Sequence, residues 1–298
     1  MDGLTLDQIQ IFLAVIDEGS FSKAAKKLNR AQSAVTYGVQ KLEAQIGMPL
    51  FDRTAYRPIL TEAGRTLLMR ARRIAEEANA FRETAQSLAS GLEAELTIVL
   101  DPMFPMPPVV EALRAFTEKF PTVPPRVYVQ PLGAAAELVL DGTAMIGLLP
   151  LIFSDIAVFK NFPLLTIDLT PVVAPDHPLA AIEGPIQTHI LQQYVQLVLT
   201  DRSALTAGHD YGVLSVRTWR LADLGAKQSM LLAGLGWGNM PSHMVADDIA
   251  KGRLKIIQPV EFDPRIAQLV MGCAYPADRR LGPVGQWMIR HLSGAPGS

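Results

Sequence analysis

The chain has 298 residues, 49% hydrophobic and 19% charged. This is too long for one hydrophobic core and too apolar for a disordered or fibrous chain, so two or three packed domains are expected. One cysteine excludes a disulfide scaffold and a cysteine-based zinc site, and a reducing, cytoplasmic location is expected. The opening MDGLTLDQIQ lacks the basic-then-apolar order of a signal peptide. The longest uncharged apolar run, Gly142–Ser154, is too short for a membrane span, so no membrane partner is expected.

The net charge of −2 hides an asymmetry. Residues 21–60 carry Lys23, Lys26, Lys27, Arg30, Lys41, Arg53 and Arg57 against only Glu43 and Asp52, whereas residues 91–298 carry 15 basic and 19 acidic side chains. A basic block on an otherwise acidic chain points to a polyanion bound by the N-terminal part. A solvated helical surface would give the same charge count.

Thr5 and Gln8 fit a capping box that opens a helix. Ile9, Phe12, Leu13 and Ile16 give that helix one apolar face, and Gly19 ends it. Ser22 is expected to cap a short second helix with Ala24, Ala25 and Leu28 inward. After the tight connection Asn29-Arg30-Ala31, Val35, Val39, Leu42 and Ile46 define a third helix that Gly47 stops. Two short helices across a three-residue turn are a helix-turn-helix arrangement. The second of them turns Gln32, Ser33, Thr36, Tyr37, Gln40 and Lys41 outward, groups able to read base edges in a major groove. Leu50–Arg53 and Arg57–Leu60 can pair as a hairpin, or wing, with Arg53 and Arg57 toward phosphates.

The run from Phe21 to Arg53, followed by Leu60-Thr61-Glu62-Ala63-Gly64, closely resembles the winged helix-turn-helix of LysR-type transcriptional regulators. Phe21, Ala24-Ala25, Leu28, Gln32-Ser33-Ala34-Val35, Leu42-Glu43, Gly47, Leu50-Phe51 and Arg53 carry the resemblance in order and at fixed spacing. It implies double-stranded DNA as partner, with Gln32, Ser33, Ala34, Thr36, Tyr37, Gln40, Lys41, Arg53 and Arg57 as the contacting residues. Two departures stand out: Ala31 replaces the family's usual hydroxyl residue, and Thr36 its usual serine. Alanine is a poor helix cap, so Asn29 or a phosphate is expected to take those amides instead.

From Leu67 the chain repeats Leu67, Ala71, Ile74, Ala78, Phe81, Ala85 and Leu88 at alternating intervals of four and three, with no Pro or Gly between Gly64 and Gly91. This is a coiled-coil seam that needs a partner, either a second chain or the rest of the molecule. The resemblance implies the former. A homodimer or homotetramer would then read an inverted repeat, with RNA polymerase as a further partner.

The remainder alternates strands and helices, as parallel βαβ units do. Strands are expected over Glu95–Leu100, Arg126–Gln130, Ala144–Leu149, Tyr194–Leu199, Arg217–Leu221, Trp237–Met240 and Leu254–Ile257. Helices are expected over Val109–Phe120, Ala134–Asp141, Leu224–Ala233, Ser242–Lys251 and Pro283–Leu292. Leu164–Ala174 and Arg265–Tyr275 look like crossing segments between two lobes. The stretches LLAGLGWGNMPSHMVADDIAKGRL and PVVAPDHPLA are similar to the family's effector domain.

The expected architecture is therefore α/β with an N-terminal all-α winged helix-turn-helix, a long linker helix and a bilobed effector domain like a periplasmic binding protein. The expected boundaries are 1–61, 62–91 and 92–298, with lobe I over about 92–163 and 268–298 and lobe II over about 164–267.

Ligands of such folds lie between lobes at carboxyl ends of strands. Asp101, Met103 and Phe104 on one lobe and Thr200, Arg202 and Ser203 on the other are the candidate contacts, with Leu149–Leu151 and Asn239–Pro241 nearby. Asp101 stands where relatives commonly place a hydroxyl residue, which favours an effector that is apolar or cationic toward it. An equal alternative is that Asp101 caps the following helix. Trp219 and Trp237 are expected in the core.

Enzyme readings fail. Gly234–Asn239, GLGWGN, departs from the dinucleotide-binding order, and there is no G-x-S-x-G elbow or Walker loop. The five histidines show no metal spacing, and Cys273 lies in an apolar strand. No cofactor, metal or catalytic residue is expected. The expected function is a sequence-specific regulator controlled by a small-molecule effector. The alternatives are a ligand-responsive winged-helix regulator of another class, or a cytoplasmic solute-binding or enzymatic protein with an N-terminal oligomerisation module.

Overall fold

The structure is a computed structural model that describes residues 3–52, 58–153, 158–206, 208 and 210–294. It divides into two compact units, Met1–Ser90 and Gly91–Ser298.

The first unit is built from α1 (Leu6–Glu18), α2 (Phe21–Lys27), α3 (Gln32–Ile46), a hairpin of β1 (Phe51–Asp52) and β2 (Ile59–Leu60), and α4 (Glu62–Ala89). The Thr5 hydroxyl and the Gln8 side chain cap α1 reciprocally, and Gly19 closes it in the left-handed region. Ser20, not Ser22, caps α2: its hydroxyl accepts the Lys23 amide, and the helix starts two residues earlier than the pattern suggested. Asn29, at φ 54°, turns the chain sharply into α3.

Phe12, Phe21 and Phe51 meet edge-on, with centroids 5.6 Å apart in both the Phe12–Phe51 and Phe21–Phe51 pairs. They join Val35, Val39, Leu42 and Leu50 in one core. Such aromatic pairs add about 0.5–1.5 kcal/mol beyond burial alone. Gly64 lets α4 start directly against the hairpin; a Cβ there would strike the Leu50 carbonyl oxygen and the Leu60 side chain.

The seam of α4 divides. Leu67 and Ala71 pack into the core of their own unit, and Arg72 pairs with Asp17 at 2.8 Å. The later positions are open: Ile74 is 47% exposed, Phe81 75% and Leu88 49%. The first two seam residues are therefore used within the chain, which the spacing alone did not distinguish.

In the second unit the strands are β3 (Leu96–Leu100), β4 (Pro125–Val129), β5 (Ile146–Pro150), β6 (Phe159–Val173), β7 (Pro185–Ile186), β8 (Gln196–Leu199), β9 (Thr218–Leu221), β10 (Gly238–Pro241), β11 (Lys255–Ile256), β12 (Gln258–Pro259) and β13 (Gln268–Pro276). The helices are α5 (Met106–Lys119), α6 (Leu132–Leu140), α7 (Thr188–Leu191), α8 (Leu224–Leu232), α9 (Ser242–Ala250), α10 (Pro264–Ala267) and α11 (Pro283–Leu292).

A seven-stranded sheet runs β10-β6-β13-β5-β3-β4, with β11 also on β6. The pairs β3–β4 and β3–β5 are parallel, and the pairs of β13 with β5 and β6 are antiparallel. The long β6 and β13 cross from one half of the unit to the other. In the second half β8 and β9 pair in parallel, and Gln196 bridges to Trp237 beside β10. This is the bilobed arrangement the alternation of elements implied. Trp237 is buried and donates to Ser215 Oγ at 3.2 Å. Trp219, expected in the core, is 47% exposed because β9 is an edge strand.

Candidate functional site

The outer face of α3 is exposed. Gln32, Ser33, Ala34, Tyr37, Gln40 and Lys41 are all accessible, while Val35, Val39 and Leu42 hold the opposite face in the core. Tyr37 is 65% exposed. Thr36 is half-buried, and its hydroxyl donates to the Gln32 carbonyl at 3.0 Å. The side chains of Gln32, Ser33, Gln40 and Lys41 make no hydrogen bond or ion pair among the described residues. Ala31 offers no side-chain cap, and neither does Asn29, so the first amides of α3 face solvent.

Two residues of the basic block are committed internally. Arg30 forms a two-pronged pair with Asp7 at 2.8 and 2.7 Å, and Lys27 pairs with Glu18 at 2.8 Å. Lys23, Lys26 and Lys41 are exposed and unpaired among the described residues. Arg53 and Arg57 lie outside the described residues.

In the second unit the side chains of Met103, Leu132, Leu169, Leu199 and Leu269 surround a cavity of about 60 Å³ where β6 and β13 cross between the halves. Asn239 and Pro241 also line it, while Met240 between them is buried. Three groups that sequence reasoning did not single out belong to it as well: Gln196, Tyr211 and Lys227.

Asp101 requires a correction. Its carboxylate is fully buried, Oδ1 accepting the Met103 amide at 2.8 Å and Oδ2 the Leu132 amide at 2.7 Å. It neither meets solvent nor caps α5; it ties the turn after β3 to the first residue of α6. That bond holds Leu132 at φ 50°, a strained conformation for leucine, and so sets its side chain into the cavity wall. Burial, followed by the nearby Asp201 charge, works against the two amide bonds and pushes the Asp101 carboxyl up to about 6.

Phe104 is also corrected: it is buried among core side chains such as Val109 and Phe116. Met103 does line the cavity.

Thr200, Arg202 and Ser203 line an adjoining polar hollow with Asp201, Thr206 and Arg220, which shares Leu132, Val198, Leu199 and Tyr211 with the cavity. Ser203 is buried and donates to Glu137 Oε1 at 2.7 Å, which also accepts the Ala204 amide at 2.9 Å. Asp201 accepts the Ala134 amide at 2.8 Å and the Thr206 hydroxyl. The loop after β8 thus docks on the start of α6, where a Cβ on Gly133 would lie 2.7 Å from Ser203 Oγ. Arg202 stays exposed; Asp210, a possible partner, is held by Arg220 at 2.7 and 2.9 Å.

Lys227 projects from the buried stripe of α8 between Leu224 and Leu231. Its Nζ donates to the Asn239 carbonyl at 2.6 Å, and burial lowers its proton affinity to a pKa of about 7. A lysine in an otherwise apolar stripe at i, i+3, i+7 was the signal that could have revealed it. Cys273 is buried on β13, and burial pushes its thiol above the ordinary range, away from thiolate chemistry.

Residues 6–65 match the family model "Bacterial regulatory helix-turn-helix protein, lysR family", and residues 89–296 match "LysR substrate binding domain". The chain belongs to the LysR family of transcriptional regulators. It is 32% identical to the HTH-type transcriptional regulator YhaJ of Escherichia coli O157:H7, covering 97% of this chain and 96% of that one. It is 28% identical to the HTH-type transcriptional regulator AceR of Acinetobacter baumannii, covering 96% and 95%. Among solved structures, the Corynebacterium glutamicum OxyR C206 mutant superposes with a TM-score of 0.56 at 23% identity, covering 98% of this chain and 92% of that one. This last likeness concerns the fold. The LysR family pairs a helix-turn-helix DNA-binding domain with an effector-binding domain, and this chain has both. Among the described residues, no helix is long and apolar enough to cross a membrane.

Proposed function

We propose that this regulator reads its operator through α3, with Gln32, Ser33, Ala34, Thr36, Tyr37, Gln40 and Lys41 toward the major groove and Arg53 and Arg57 toward phosphates. The observation that carries this reading is the split of α3 into a buried apolar face and an exposed polar face whose side chains are almost wholly uncommitted. A face of donors and acceptors of which only Thr36 has an internal partner among the described residues suits base edges. Two chains pair through the open seam of α4, so that two recognition helices meet an inverted repeat. The assembled dimer or tetramer acts in the cytoplasm and engages RNA polymerase. A small effector occupies the cavity at the crossing of β6 and β13 and biases the packing of the two lobes.

Binding to genomic fragments, followed by salt titration on the recovered site, tests the reading. Recovery of a two-fold symmetric site for which the logarithm of the affinity falls linearly with log salt supports it. Equal retention of all fragments at every salt concentration contradicts it.

A further inference from the structure

The cavity wall is apolar except at a few places, and two of those are unusual. The Lys227 ammonium has three donors but only one acceptor, the Asn239 carbonyl, and no carboxylate pairs with it among the described residues. The Asn239 side chain donates through Nδ2 to the Gly212 carbonyl at 3.2 Å, yet its Oδ1 is buried with no partner. Native interiors rarely leave such atoms unmatched. Gln196, in contrast, has both polar atoms engaged: Oε1 accepts the Leu214 and Ser215 amides and Nε2 donates to Gly212. So one wall presents spare donors on Lys227 among the Met103, Leu132 and Leu269 side chains, while Asn239 Oδ1 is closed off from solvent.

From this juxtaposition we infer that the effector is a compact, largely apolar molecule with a single acidic oxygen head group, either a carboxyl or an acidic hydroxyl. This rests on the reading of the cavity as the effector site. A carboxyl head group, ionised beside the Lys227 ammonium, or a phenolic oxygen accepts a hydrogen bond from the spare Lys227 donors. A second acidic group inside the cavity would lie against the apolar Met103, Leu132 and Leu269 side chains, and the Leu132 and Ala134 amides at the start of α6 are already held by Asp101 and Asp201. An amine is disfavoured because it would bring a second cation beside Lys227. The effector class therefore excludes dicarboxylates and amines, and Asp101 does not select it.

The test uses the full-length protein with methyl-labelled methionines. The probes are butyrate, phenol, succinate and n-butylamine, each titrated against thermal stability and against the Met103 methyl resonance. The expected result is saturable stabilisation by butyrate or phenol with a moving Met103 signal. Neither succinate nor n-butylamine should bind within tenfold of it. Preference for butyrate identifies the carboxyl form of the head group, and preference for phenol the hydroxyl form.

Lys227→Met, which keeps the stem and removes the charge, should weaken the preferred probe at least tenfold. Should that variant not fold, Lys227→Gln serves in its place with the same expectation.

Stabilisation that leaves the Met103 signal unmoved means that the cavity is not the effector site, and the underlying reading fails. Occupation of the cavity by succinate or n-butylamine as strongly as by butyrate or phenol overturns the inference alone. So does undiminished probe affinity in the variant, or the failure of both acidic probes.

Discussion

The carboxylate of Glu43 and the amide of Leu50 lie 2.7 Å apart, and the same oxygen accepts the Phe51 amide at 3.2 Å. A side chain from the inner face of α3 thus holds the hairpin that follows it. Removing that acceptor strands two buried amides, at about 1–3 kcal/mol each. Glu43→Ala is therefore expected to destabilise the first unit, and Glu43→Gln, which keeps an amide oxygen, to lose much less. All three tryptophans lie beyond residue 90. In urea, the loss should appear in the far-ultraviolet transition without moving the tryptophan fluorescence transition. Equal shifts in both would contradict the assignment.

Asp101 gives a second prediction. Asp101→Asn replaces one acceptor with an NH₂ group that cannot take either the Met103 or the Leu132 amide, so a loss of about 1–3 kcal/mol is expected. The carboxyl, pushed up to about 6 by burial, holds its proton to higher pH in the folded chain than in the unfolded chain, where its ordinary pKa is 3.8. Its contribution is present below pH 3.8 and is lost as pH rises through 6. Unfolding free energies from pH 4 to 7 should show this negative slope in the parent and not in Asp101→Asn. Parallel profiles would refute the buried-carboxyl account.

Lys227 has the opposite sign. Its folded pKa of about 7 lies below the ordinary lysine value of 10.5, so the unfolded chain binds more protons between those values. Stability should rise with pH across that window, by up to about 1.4 kcal/mol per pH unit for one proton. Lys227→Met should flatten the rise. An unchanged profile would mean that the amine reaches water.

The exposed half of the seam predicts assembly. Ile74→Asp with Phe81→Asp would place charges in a helix-pair interface and leave each chain's own core untouched, since both residues are open in the single chain. Sedimentation should show loss of the oligomer, with the effector unit still folded. An intact oligomer would place the dimer elsewhere.

Much of this was legible in the sequence because it depends on spacing. Ile9, Phe12 and Ile16 mark α1, and the expected helix Leu224–Ala233 differs from the observed Leu224–Leu232 by one residue. What was not legible depends on groups brought together from far apart. The amide of Leu132 that fixes Asp101 is 31 residues away in sequence, and no local pattern announces that bond. The α4 seam reads as uniform from Leu67 to Leu88, yet only tertiary packing decides that Leu67 and Ala71 turn inward. Asp201 and Glu137 show the same limit: each is ordinary in its own segment and meets its partner only when the loop after β8 docks on α6.

The central claim is that α3 reads bases, and Gln32→Ala tests it most directly. Fluorescence anisotropy on the recovered operator and on a shuffled duplex, at one salt concentration, measures both affinities. The account predicts a loss on the order of 1–3 kcal/mol on the operator and little change on the shuffled duplex. Equal losses on the two duplexes, or none on either, would contradict it.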